Sequence, residues 1–120
     1  MRTNTNMISI TEKPWGYEEL LASIEQPTTI KIMGINSNAR NSLHYHKHKD
    51  EIVYCISGVG ILQRNTDILK LEPGAHWKVE RTVAHRIKAG ADKLKVLEIS
   101  IGKYDENDIF RMEDDYGRVK

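Results

Sequence analysis

Three histidines and one glutamate are spaced in the sequence as ligands of a single metal ion would be. His44 and His46 lie two positions apart, and side chains two apart on a strand point to the same face of a sheet. Glu51 follows after a short charged turn and opens an apolar run, so its carboxylate can return to that face. Imidazole nitrogens with one carboxylate suit a divalent first-row metal and leave coordination positions open.

The fourth ligand must come from elsewhere in the chain, and His85 is the best candidate. It opens a predicted strand over residues 85–88 after a polar loop. His48 shares the parity of His44 and His46, but it lies in the charged turn of residues 47–50. We expect solvent to surround His48 and the lysines beside it, Lys47 and Lys49.

Short apolar runs separated by turn residues must position these side chains. The predicted strands cover residues 16–22, 28–35, 51–56, 60–64, 76–79, 85–88 and 95–101. They are rich in Ile, Val and Tyr, and several alternate apolar with polar residues. Many short strands without a long helical period predict an all-β sandwich or barrel. Residues 106–115 are interpreted as a short helical or irregular cap.

Composition narrows the class of protein. A chain of 120 residues with 39% hydrophobic and 29% charged residues is typical of one globular domain. Its net charge of +1 creates no long-range field, so we expect neither a nucleic acid nor a membrane as partner. The single cysteine suits a reducing compartment, and no segment has the pattern of a signal peptide or a membrane span. We therefore predict a cytoplasmic protein.

The first ligand segment resembles the first motif of the cupins. In that motif a glycine precedes His-x-His, a glutamate follows after three or four residues, and another glycine follows after six more. The matching residues here are Gly34, His44, His46, Glu51 and Gly58.

The second cupin motif runs Gly, five residues, Pro-x-Gly, two residues, His, three residues and Asn. Gly74 and His85 match its first glycine and its histidine. Glu80, Thr82 and Ala89 stand where the motif has its proline, its second glycine and its asparagine. The loop before His85 is therefore expected to fold differently from the usual one.

The resemblance narrows to the type II phosphomannose isomerases. Residues 13–17 (Lys-Pro-Trp-Gly-Tyr) are similar to their entry segment, and residues 102–118 to their C-terminal segment. The resemblance implies a single cupin barrel, all-β, formed by residues 13–120. It is preceded by an arm of residues 1–12, which could exchange as an edge strand in a homodimer. Those isomerases usually carry Gln in place of His44 and Arg in place of Lys49.

The resemblance also implies an activity and its residues. It implies a divalent metal ion (Zn, Mn, Co, Fe or Ni) held by His44, His46, Glu51 and His85. The reaction would be aldose–ketose isomerisation of a sugar phosphate, by default mannose 6-phosphate and fructose 6-phosphate. The family has a glutamate at the position of Glu98, our candidate proton carrier. Lys13, Arg40 and Arg111 are the candidates for binding the phosphate.

Two other functions are compatible with these residues. One is a metal- and sugar-binding cupin module without turnover, which the altered loop before His85 favours. The other is a different cupin enzyme such as an Fe(II) dioxygenase, because open positions on a histidine-rich site also suit oxygen chemistry. A cluster of basic residues at the site would favour an anionic sugar over an apolar substrate.

Overall fold

The protein is described here by a computed structural model that covers residues 9–24, 28–103 and 105–119. Eleven strands run through this part of the chain. They are β1 (Ser9–Lys13), β2 (Gly16–Ile24), β3 (Thr28–Ile35), β4 (Leu43–Tyr45), β5 (Lys49–Ser57), β6 (Gly60–Arg64), β7 (Asp67–Leu71), β8 (His76–Val79), β9 (His85–Ala89), β10 (Leu94–Gly102) and β11 (Phe110–Glu113).

The strands form two antiparallel sheets, which confirms the all-β prediction. One sheet has the order β1-β2-β3-β10-β5-β8 and the other the order β11-β4-β9-β6-β7. Strands distant in sequence pair in both sheets, as β3 does with β10 and β6 with β9. Within the described ranges, no helix is long and apolar enough to cross a membrane.

Alternation along the central strands divides the space between the sheets into two halves. On β5 and β10 the inward side chains are polar at one end of the sheet and apolar at the other. The polar ones are Lys49, Glu51, Glu98 and Ser100, and the apolar ones are Val53, Cys55, Leu94 and Val96. The apolar half joins Leu62, Leu71 and Ile87 in one buried cluster. The apolar half forms the close-packed core. The polar half lines a candidate site.

All seven predicted strands are present, several of them one to three residues longer. The structure adds β1, β7 and β11, and it shows that residues 43–45 are extended as the metal hypothesis requires. The interpretation of residues 106–115 as a helical or irregular cap is wrong over its centre. There β11 pairs with β4, placing Arg111 opposite His44.

The N-terminal arm is described only in part. Ser9–Lys13 pairs as β1 with β2 of its own chain, and residues 1–8 lie outside the described residues. Exchange of this arm in a homodimer stays a prediction, and sedimentation at micromolar concentration would measure the oligomeric state.

Candidate functional site

Three histidine side chains converge at the polar end of the barrel. His44 lies on β4, His46 just after it, and His85 opens β9 directly opposite His44 in the sheet register. Their ligand nitrogens all lie within 4.8 Å of one another, and all three residues are buried. Three of the four predicted ligands therefore lie together and could hold a metal ion.

Backbone carbonyls orient each of the three imidazole rings. The Nδ1 atoms lie within hydrogen-bond distance of carbonyl oxygens: His44 of Ser42 at 2.9 Å, His46 of Asp108 at 2.6 Å and His85 of Val83 at 3.0 Å. A carbonyl oxygen only accepts, so each Nδ1 carries the proton and donates it. When the rings are neutral, each Nε2 therefore has a free lone pair, which is how metal-binding histidines are held.

Glu51 lies beside two of these histidines. Its Oε1 is 3.0 Å from Nε2 of His85, and its Oε2 is 3.6 Å from Nε2 of His46. Oε1 of Glu51 and Nε2 of His85 are both buried, and neither has a hydrogen-bond partner. The two atoms are close to each other but are not aligned for a hydrogen bond. Buried polar atoms of this kind call for a ligand. The donor set therefore fits a divalent ion, although Glu51 lies outside the 4.8 Å cluster of the histidines.

The protonation of His44 and Glu51 also suits metal binding. Burial, together with the neighbouring His85 and His46, lowers the pKa of His44 well below its usual value. Burial alone would raise the pKa of Glu51, but His85, His46 and Lys49 hold it well below its usual value. A neutral imidazole and an ionised carboxylate are the forms that bind metals. At His85 burial would lower the pKa, but contact with the carboxylate of Glu51 raises it.

A cavity of about 410 Å³ opens onto His44 and His46. Charged side chains of both signs line it. The basic ones are Lys13, Lys31, Lys49, Arg111 and Arg118, and the acidic ones are Glu18, Glu98, Asp105, Glu106 and Asp108. A cavity lined by charges of both signs suits a polar ligand and not an apolar one.

Two of the three predicted anion-binding residues lie at this cavity. Arg111 lines it from β11, and its Nε atom is buried without a hydrogen-bond partner. Burial and the nearby Arg118 lower the pKa of Arg111. Lys13 lines the cavity from β1, with its Nζ 4.0 Å from Glu18.

The third predicted residue, Arg40, lies elsewhere. Its guanidinium donates to both carboxylate oxygens of Asp115, at 2.7 and 2.9 Å. Its side chain is 38% exposed, and Arg40 is not among the residues that line the cavity. The structure therefore separates Arg40 from Arg111 and Lys13.

Glu98 lies on the inward face of β10 and lines the cavity. It is only 7% exposed. Burial, with the nearby negative charge of Glu51, raises the pKa of Glu98 to about 8. A carboxyl group that titrates near neutral pH can both accept and return a proton.

Lys49 was expected in a solvated turn, and that expectation is wrong. Lys47 and His48 are exposed, but Lys49 is 6% exposed and lines the cavity. The sequence held only a conditional signal: Lys49 is two residues before Glu51, so the two share a face if the strand already begins at Lys49, as β5 does. Asp108 was missed as well. Its backbone carbonyl orients His46, and its carboxylate accepts hydrogen bonds from the backbone N–H groups of Lys47 and His48.

The loop before His85 holds a strained residue. Thr82, which stands where the cupin motif has glycine, adopts a φ of 70°. Its N–H donates to the carbonyl of His46 at 2.6 Å, which ties the loop to a predicted ligand. A β-branched residue rarely adopts this left-handed conformation. The loop thus keeps the backbone conformation that favours glycine, without the glycine.

We expect Thr82→Gly to stabilise the protein by about 1 kcal/mol, because it relieves left-handed strain at some cost in chain entropy. Thermal unfolding of the metal-free protein would measure the change. Asn65→Gly is the matched control, since Asn65 has a φ of 54° and asparagine tolerates that conformation. A Thr82→Gly variant no more stable than the Asn65→Gly control would contradict the strain.

Comparisons with known proteins match this chain over most of its length. The family model of the mannose-6-phosphate isomerase C-terminal domain matches residues 2–114. The xanthan biosynthesis protein XanB of Xanthomonas campestris pv. campestris is 32% identical over 109 residues, which are 89% of this chain and 23% of XanB. The chain thus spans about a quarter of that relative.

Solved structures show the same fold. Oxalate decarboxylase from Bacillus subtilis superposes with a TM-score of 0.80 at 20% identity, over 89% of this chain and 30% of that one. KdgF from Halomonas sp. superposes with a TM-score of 0.76 at 16% identity, over 85% of this chain and 93% of that one. The predicted cupin barrel is confirmed.

Proposed function

Because the chain belongs to the family of mannose-6-phosphate isomerase C-terminal domains, we propose that it is a metal-dependent isomerase of sugar phosphates. Mannose 6-phosphate and fructose 6-phosphate are the default pair. One observation carries the proposal: a single cavity is lined by His44 and His46 of the histidine cluster, by a buried carboxyl group that titrates near neutral pH, and by an arginine with an unpartnered nitrogen.

His44, His46 and His85 would hold the metal ion, with Glu51 as a fourth ligand. Their three Nε2 lone pairs and one ionised carboxylate suit Zn, Mn, Co, Fe or Ni in the divalent state. Bound there, such an ion would act as a Lewis acid towards the oxygens on C1 and C2 of the sugar.

Glu98 would carry the proton between the two carbons. Its carboxylate takes the proton from C2 of the aldose and returns it to C1, while the proton on O2 passes to O1. The carbonyl thereby moves from C1 to C2, with no change in overall oxidation state. A base whose pKa lies near the working pH performs both transfers well, and burial places Glu98 in that range.

Arg111 and Lys13 would bind the phosphate. Arg111 lies beside His44 in the register of β11 and β4, and its side chain lines the same cavity as the histidine. Its unpartnered Nε suits a charge-assisted hydrogen bond to a phosphate oxygen. Arg40 is already paired with Asp115 at the surface and has no such role in this proposal.

We expect Arg111→Ala to weaken the binding of mannose 6-phosphate by about 1.5–3 kcal/mol, the scale of a lost charged hydrogen bond. Titration calorimetry on the metal-loaded protein would measure it. Arg40→Ala is the matched control and should bind like the wild type, and unphosphorylated mannose should bind both variants equally. A larger loss in Arg40→Ala than in Arg111→Ala would overturn this assignment of the phosphate site.

The function itself is tested by an isomerase assay on a panel of sugar phosphates. The protein would be loaded in turn with Mn²⁺, Zn²⁺, Co²⁺ and Fe²⁺. Interconversion of at least one aldose–ketose pair supports the proposal. Binding of sugar phosphates without turnover, whichever metal is present, would identify a binding module instead. Oxygen consumption in the Fe²⁺ sample would favour a dioxygenase.

A further inference from the structure

Lys49 is a buried ammonium group inside the barrel. It opens β5 on the same face as Glu51, and it is 6% exposed. Gly102, its partner on β10, lets the two strands approach closely at this point, since an added Cβ would clash with the carbonyl oxygen of His48 and lie 2.6 Å from the Cα of Lys49. Burying a charge is costly unless it has a partner, so such a lysine calls for an explanation.

The ion-pair partner of Lys49 is the candidate ligand Glu51. The Nζ atom lies 3.5 Å from Oε2 of Glu51, and the hydroxyl of Ser100 donates to the same oxygen at 3.2 Å. The other oxygen, Oε1, lies near His85 without a hydrogen bond. Lys49 and Ser100 therefore hold Oε2, which also lies 3.6 Å from Nε2 of His46, and Oε1 faces His85.

A metal ion at the histidines would change this balance. It would attract the negative charge of Glu51 and repel the ammonium of Lys49, since the two cations would compete for one carboxylate. Lys49 also lines the cavity, as do His46 and Glu98. A flexible lysine side chain that loses its partner can therefore turn its donors towards a ligand in the cavity.

We propose that Lys49 competes with the metal ion for the carboxylate of Glu51 and, once displaced, donates a hydrogen bond to the substrate oxygen that becomes negatively charged during isomerisation. The second half rests on the proposed function. When Glu98 removes the C2 proton, negative charge develops on the C1 oxygen. A buried ammonium stabilises such charge more strongly than a solvated one does.

The test compares Lys49→Met with Lys47→Met. Each variant removes one positive charge, and the two positions are two residues apart. Lys47, however, is exposed, with its Nζ 4.4 Å from the centre of the Phe110 ring. Calorimetric titration with Mn²⁺ is expected to show about 10-fold tighter binding to Lys49→Met and unchanged binding to Lys47→Met. Equal or weaker Mn²⁺ binding to Lys49→Met would overturn the competition, because a merely structural lysine would weaken the site when removed.

Turnover is expected to fall in Lys49→Met, although its metal binding becomes tighter. Metal-saturated Lys49→Met is expected to lose about 10²–10³-fold in kcat, and Lys47→Met to match the wild type. Tighter Mn²⁺ binding with wild-type kcat would overturn the donation to substrate and keep the competition.

Further measurements test the proposal if the wild type is inactive or if Lys49→Met does not fold. If the wild type isomerises nothing, the proposed function fails, but the Mn²⁺ titration still decides the competition. Mannose 6-phosphate binding to the Mn²⁺-loaded proteins then decides whether Lys49 donates to the ligand, with about 10-fold weaker binding expected for Lys49→Met. If Lys49→Met does not fold, Lys49→Gln, which keeps a neutral polar group, takes its place in both titrations with the same expected directions.

Discussion

Replacing His46 with alanine is expected to abolish stoichiometric binding of a divalent metal ion. The substitution removes the Nε2 lone pair of a buried imidazole that the carbonyl of Asp108 already orients. Loss of groups that merely orient a ligand costs about 10–100-fold in metal affinity, so loss of a ligand should cost at least about 100-fold. The metal content after dialysis against Co²⁺ or Zn²⁺, measured by mass spectrometry, checks the result.

His48→Ala is the matched control for this prediction. His48 has the same spacing parity as His44 and His46, but it is exposed, so its removal should leave one metal ion per chain. Equal loss of metal in the two variants would show that the ligand assignment is wrong. Retention of metal by His46→Ala would place the ion elsewhere.

Replacing Glu98 with glutamine is expected to lower kcat by about 10²–10⁴-fold while metal and substrate stay bound. Glutamine keeps the shape of the side chain but cannot accept a proton. Steady-state kinetics on the active sugar phosphate, with calorimetric titration of metal and substrate, would separate the loss of turnover from a loss of binding. Undiminished kcat would remove Glu98 from the role of proton carrier.

The same variant has a second expected effect, on stability. The pKa of Glu98 is raised from 4.5 to about 8 in the folded protein, so the folded state holds a proton that the unfolded state releases. Stability is therefore lost as pH rises from about 4.5 towards 8, and glutamine removes that loss. Metal-free Glu98→Gln should be more stable than the wild type at pH 8 and should differ less from it at pH 5.

Denaturant unfolding at the two pH values measures this difference. Other groups, such as the histidines, titrate in both proteins, so their effects largely cancel in the comparison. A stability difference that does not depend on pH would show that Glu98 is ionised in the folded protein over the whole range. Burial would then not raise the pKa of Glu98, and its role as proton carrier would need another physical basis.

Some features of this protein follow from residue types and short spacings. The His44–His46 pair could be predicted because a strand has a period of two, whatever the rest of the fold does. The central strands could be predicted because burial on one face imposes alternation on their sequence. Strands β1, β7 and β11 were missed because much of their surface is exposed. Such strands depend on hydrogen bonds to a neighbouring strand, which leave little pattern in sequence.

The tertiary structure alone decided which charged residues belong to the site. Arg40 and Arg111 are equally plausible anion ligands in the sequence, but Asp115, 75 residues from Arg40, holds it at the surface. Lys49 follows two exposed residues in a charged run, yet β5 turns it inward beside Glu51. Spacing determines which side chains share a face. The pairing of distant strands determines which charges meet, because those contacts join residues that are far apart in the chain.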